Sequence, residues 1–221
     1  MVLKKEDRLG TTIEGGGYQT AVNRAAQGEH YGVEELLLER HHASHNTPDI
    51  GYSKTPLLWA AENGHKAVVQ ALLEKQDINP NTRDSIFGRT PLWRAVKSGH
   101  EEVVKILLEQ DYINSNAADT LLGLTPLLWA ASNGDNRVVN LLLGHEEINP
   151  NIADRRFGQT PLFLAANRGH KGVVGLLLGR EDINPNTADT IFGRTPLMWA
   201  IKQKHKEIVN SLSRPCQIRY P

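Results

Sequence analysis

Apolar and polar positions follow a helical rhythm through most of the chain. In RTPLWRAVKSGHEEVVKILLE, from Arg89 to Glu109, the residues Val103, Val104, Leu107 and Leu108 share one face of a helix running from about Glu101 to Glu109. A second short helix precedes it. Thr90 reads as its N-cap and Pro91 as its first residue, where a missing N–H costs nothing. Gly99 reads as its stop, because glycine accepts a left-handed backbone. INSNAADT after the pair, like INPNTRDS before it, is turn chemistry. Asp84, Asp119, Asp154 and Asp189 open these turns, and Gly88, Gly123, Gly158 and Gly193 close them.

The pattern repeats. Thr-Pro stands at Thr55, Thr90, Thr125, Thr160 and Thr195, 35 residues apart each time, and one step back lands on Thr20-Ala21. Six units fit, starting near residues 14, 49, 84, 119, 154 and 189. A helix pair this short cannot bury its apolar face alone, but stacked neighbours can. The expectation is an all-α solenoid of about twelve short helices in antiparallel pairs, with short β-turn fingers. It is expected to form a single domain over 14–213, with an N-terminal extension at 1–13 and a C-terminal tail at 214–221. The last unit is expected to cap the stack, since its second helix has only Ile208, Val209 and Leu212 as apolar residues. Gly15, Gly16 and Gly17 predict a frayed first finger.

These residues resemble the ankyrin repeat: Asp, a turn, Gly-x-Thr-Pro-Leu, Ala, Gly-His, Val-Val and a Leu run. Arg89 to Glu109 is the cleanest copy, and the resemblance covers 14–213. The family's usual His after Thr-Pro-Leu is replaced by Leu58, Trp93, Leu128, Phe163 and Met198, and the period exceeds the usual ~33 residues. The INPNT-D-x-x-FGRTPL wording is similar to a variant common in large fungal ankyrin proteins. The resemblance implies that turn tips and the ends of first helices line a concave face.

Composition then narrows the function. The 221 residues carry 25 Lys+Arg and 25 Asp+Glu, so no global positive field drives nonspecific binding to nucleic acid or membranes. Cys216 is the single cysteine, which excludes an intrachain disulfide and points to a reducing compartment, cytoplasmic or nuclear rather than secreted. Met1 to Gly10 lacks the apolar segment of a secretory signal, and the apolar runs are too short to span a membrane.

Phosphate-loop, zinc-protease, nucleophile-elbow, CxxC and dinucleotide motifs are all missing, so no catalytic residue, cofactor or metal is expected. His65, His100, His170 and His205 share one slot after the first helix, which predicts a structural hydrogen bond at the helix end. Asp135 fills that slot in the fourth unit. His41, His42 and His45 read as a solvated loop, since structural zinc normally takes four protein ligands. Trp59, Trp129 and Trp199 share a helix slot with Arg94 and Leu164, which predicts packing between units, with Arg94 stacked on a neighbouring indole.

On the expected concave face, Lys54, Arg83, Arg89, Lys97, Arg155, Arg156, Arg168, Arg194 and Lys202 stand against Glu62 alone. The turn-opening aspartates offset part of that field. Ile86, Leu121, Leu124 and Ile191 sit among the cations as apolar anchors, the make-up of an interface centre. The expected function is a non-catalytic protein-interaction module that binds an acidic partner segment or surface on this face. The alternative is a small-molecule binder or enzyme built on the scaffold, supported by the histidine cluster and the Arg155-Arg156 pair. Nucleic-acid binding is disfavoured by a lack of aromatic stacking positions at the tips.

Overall fold

The computed structural model describes residues 11–13, 18–28, 46–49 and 51–213. Eleven helices lie among them: α1 Ala21–Gly28, α2 Pro56–Asn63, α3 Lys66–Leu73, α4 Pro91–Ser98, α5 Glu101–Leu108, α6 Pro126–Asn133, α7 Asn136–Leu143, α8 Pro161–Arg168, α9 Lys171–Leu178, α10 Pro196–Lys202 and α11 Lys206–Leu212. The expected twelfth helix and the loop histidines His41, His42 and His45 fall outside the described residues. Gly15, Gly16 and Gly17, on which the expected fraying of the first finger rests, also lie outside the described residues. Thr11–Ile13 (β1) pairs antiparallel with Tyr18–Thr20 (β2), with Thr11 opposite Thr20. Threonine, isoleucine and tyrosine all favour a pleated strand.

The helix ends follow from the sequence. Thr55, Thr90, Thr125, Thr160 and Thr195 each accept a hydrogen bond through Oγ1 from the backbone N–H three residues on, with proline next in line. Gly64, Gly99, Gly134 and Gly169 stop the first helices in the left-handed conformation. Two slots that hold glycine elsewhere do not hold it: Ser53 has φ 50° and Lys204 φ 62°. A side chain in that region costs about 1 kcal/mol. Lys204→Gly is therefore expected to stabilise the last helix pair by about 1 kcal/mol, read as a raised urea midpoint. An unchanged or lowered midpoint would show that the Lys204 side chain repays its backbone strain.

The chain divides into two compact units, Met1–Ala117 and Ala118–Pro221. In the first, α2 packs between α1 and α4, and α3 against α5. In the second, α8 packs between α6 and α10, and α9 between α7 and α11. The slot after Thr-Pro-Leu is sealed in four repeats, where Leu58, Trp93, Leu128 and Phe163 are fully buried. On α5 the buried face is Val103, Val104, Ile106 and Leu107, with Leu108 only half-buried. The last repeat is not the polar cap that the sequence suggests. Ile208 is buried, but Met198 and Ile201 on α10 are 53% and 57% exposed, in slots whose counterparts are core.

Candidate functional site

Each finger is built around its aspartate. Asp84 Oδ1 accepts from the amides of Ile86 and Phe87, Asp154 Oδ1 from Arg156 and Phe157, and Asp189 Oδ1 from Ile191 and Phe192. At Asp49, Asp84 and Asp189 the second oxygen turns towards the first helix. Trp59 Nε1 donates to Asp49 Oδ2 at 2.9 Å, and Trp199 Nε1 to Asp189 Oδ2 at 2.8 Å. Arg94 fills the same slot with a guanidinium, donating to Asp84 Oδ2 through Nη2 at 2.9 Å and to Glu62 Oε1 at 2.7 Å. Arg94 does not stack on an indole as expected, because two carboxylates satisfy its guanidinium better than a ring face does.

Burial alone would raise the pKa of Asp84 and of Asp189. The Phe87 amide and Arg94 at the first, and the Phe192 amide and Trp199 at the second, outweigh it and hold both below the ordinary aspartate value. A depressed folded pKa adds stability that is complete above the unfolded value and is lost as pH falls through the folded one. The melting temperature is thus expected to hold level from neutral pH to about 5 and to fall below about 4. A melting temperature that stays level down to pH 3 would contradict this account of the fingers.

The residue before Thr-Pro is also drawn inward. Lys54 Nζ lies 3.9 Å from the Trp59 ring centroid, and the Arg89 guanidinium 3.8 Å from Trp93 and 4.3 Å from Phe87. Both are buried, at 7% and 8% exposure, and Lys54 also pairs with Glu62. Arg194 is half-buried over Phe192 and Trp199. Lys54 and Arg89 are therefore removed from the expected partner-binding set: cation–π contact and ion pairing turn them into the fingers. Arg83 donates to the Gly88 carbonyl yet stays exposed. Lys97 is exposed too; burial first, then repulsion from Arg89 and Arg94, lowers its pKa against the pull of Glu62.

Arg155, Arg156, Arg168 and Lys202 are exposed in the second unit. The Arg155 stem crosses the preceding tip, where a Cβ on Gly123 would come within 2.4 Å of its Cγ, and its N–H donates to the Leu122 carbonyl. Arg156 lies over Phe157, Lys202 lies over Trp199, and Arg168 donates to the Ser132 carbonyl. Leu121 and Ile191 stand exposed beside them, while Leu124 is half-buried. Ile86 is exposed in the first unit. The tips do carry aromatics after all, since Tyr52 and Phe192 are exposed.

The repeated histidines hold neighbouring repeats together. Nε2 of His65, His100, His170 and His205 meets the carbonyls of Gln27, Glu62, Ser132 and Asn167 at 3.0–3.2 Å. A carbonyl only accepts, so Nε2 carries the proton. Asp135 instead caps its own helix, accepting from the Val138 amide at 3.1 Å. Asparagine bridges were not legible in advance. Asn81 donates to the Tyr112 carbonyl and accepts from the Asn114 amide, and Asn151 does the same with Asp182 and Asn184. Asparagine in a turn reads as local chemistry, and only the repeat spacing could have hinted at a bridge. Among the described residues, no group of three or more His, Cys, Asp or Glu is placed to hold a metal, and no helix is long and apolar enough to cross a membrane.

The family model for ankyrin repeats matches three times, over residues 5–84, 77–154 and 127–220. No curated protein matches the sequence. Among solved structures, this chain is similar to the ankyrin repeat domain of Bcl-3, described as a unique member of the IkappaB protein family. The TM-score is 0.76 at 27% identity, covering 87% of this chain and 82% of that one.

Proposed function

This chain belongs to the ankyrin repeat family, and from that premise we propose that it is a non-catalytic protein-interaction module that holds an acidic partner segment along its finger tips. One observation carries the reading. In the second unit the tip aspartates Asp119, Asp154 and Asp189 each turn Oδ1 onto amides of their own turns, while Arg155, Arg156, Arg168 and Lys202 stay exposed beside Leu121 and Ile191. Arginines around apolar anchors suit a carboxylate-rich chain, since the planar guanidinium binds carboxylate in a fork. A cytoplasmic or nuclear setting fits a chain with one cysteine.

The test is calorimetric titration of the intact chain with a glutamate-rich peptide at low and at physiological salt. Arg155→Glu with Arg156→Glu is expected to weaken binding by more than about tenfold, and Glu101→Lys with Glu102→Lys by less than about threefold. Both double variants must first show unchanged melts. Loss of binding in the second pair and not in the first would place the site on the second helices. Equal binding of a single-stranded oligonucleotide would favour nucleic acid over protein.

A further inference from the structure

The fifth repeat lacks an indole that its neighbours possess. In the last repeat Trp199 packs edge-on against Phe163 and Phe192, each 6.1 Å away between centroids, and its N–H reaches Asp189. One repeat earlier the same slot holds Leu164. The slots that surround Trp199 there hold Leu128, Phe157 and Asp154, and these three with Leu164 line an open cavity of about 310 Å³.

The cavity also keeps an acceptor. Asp154 Oδ2 takes the Gln159 amide at 3.0 Å. The side-chain donor that Trp59, Trp199 or Arg94 gives the equivalent oxygen has no counterpart, since Leu164 has no N–H. Arg156 and Arg168, both exposed, stand on the cavity wall.

We propose that this vacancy receives a tryptophan side chain of the partner, its indole N–H donating to Asp154 Oδ2 and neighbouring partner carboxylates meeting Arg156 and Arg168. This rests on the acidic-partner reading and adds the residue that anchors it. Two kinds of side chain in this slot donate to the aspartate elsewhere in the protein, indole and guanidinium. Guanidinium is disfavoured here. Arg94 is answered by both Asp84 and Glu62, but the slot equivalent to Glu62 is Ser132, and two arginines flank the opening. A neutral indole satisfies the one acceptor, buries its rings against the half-buried Phe157 and Trp129 on the cavity wall, and adds no cation.

The experiment uses the intact chain and two probes, acetyl-Glu-Glu-Trp-Glu-Glu-amide and the same peptide with alanine in place of tryptophan, titrated by calorimetry. The tryptophan peptide is expected to bind at least about tenfold tighter. Leu164→Trp is expected to supply the missing indole from within. It should raise the melting temperature and reduce the preference to within about twofold. Equal affinity of the two peptides for the wild-type chain would overturn the inference while leaving the acidic-partner reading standing. A preference that survives in folded Leu164→Trp would also overturn it. Failure of both peptides to bind would remove the two readings together. N-acetyltryptophan binding as tightly as the peptide would contradict a protein partner and assign the cavity to a small molecule. The wild-type comparison of the two peptides decides even if Leu164→Trp does not fold.

Discussion

Replacing Arg94 with leucine is expected to cost about 3–5 kcal/mol of folding stability, the range for stripping one partner from a buried ion pair. Its guanidinium holds Asp84, which is 3% exposed, and reaches across to Glu62 on the preceding repeat. Without it, Asp84 keeps only its turn amides, in a place where burial already opposes its charge. Most of the loss falls on Asp84, because Glu62 is partly solvated and keeps Lys54. Arg94→Trp is the informative companion. Trp59 and Trp199 show that an indole fits the slot and donates to the aspartate, so this change is expected to cost under about 1.5 kcal/mol. Urea denaturation measures both. A leucine variant within about 1 kcal/mol of wild type would mean that the pair does not hold the finger.

Leu107→Ala is expected to destabilise by about 2–5 kcal/mol. Leu107 has no exposed surface, and its helix packs on α3 within the first unit. Its helix also packs on α4, which is held by the Thr90 cap at its start and by left-handed Gly99 at its end and so has little freedom to close over the space left behind. Leu108→Ala on the same helix is half-buried and is expected to cost less than half as much. Equal losses at the two positions would mean that the apolar face of α5 is turned from where the structure places it.

The repeat, its caps and its histidine slot were legible because each is local and recurs at fixed spacing. Thr90 and Pro91 announce a helix start wherever they stand, and four histidines in one slot cannot all be catalytic. The direction in which a cation points was not legible. Lys54 and Arg89 look as solvent-seeking as Arg155, yet the rings of Trp59, Phe87 and Trp93, with Glu62 beside Lys54, draw them inward. Arg94 was assigned to the right slot and the wrong partner, since nothing local shows that Asp84 turns its second oxygen towards it. The open face of α10 is not marked by the polar sequence of its paired helix, although Met198 and Ile201 occupy slots that other repeats bury. The cavity beside Leu164 could not be read at all. A missing tryptophan is a space only once Phe157, Leu128 and Asp154 are set around it.

The most direct test is to watch backbone amides by two-dimensional NMR while the acidic tryptophan peptide is added to the intact chain. The largest shifts are expected at 120–124, 155–159 and 164–168, with smaller ones at 190–194 and with the amides of α7 and α9 unmoved. Shifts concentrated on α7 and α9, with the finger tips unchanged, would contradict an interaction face built on Arg155, Arg156 and Arg168.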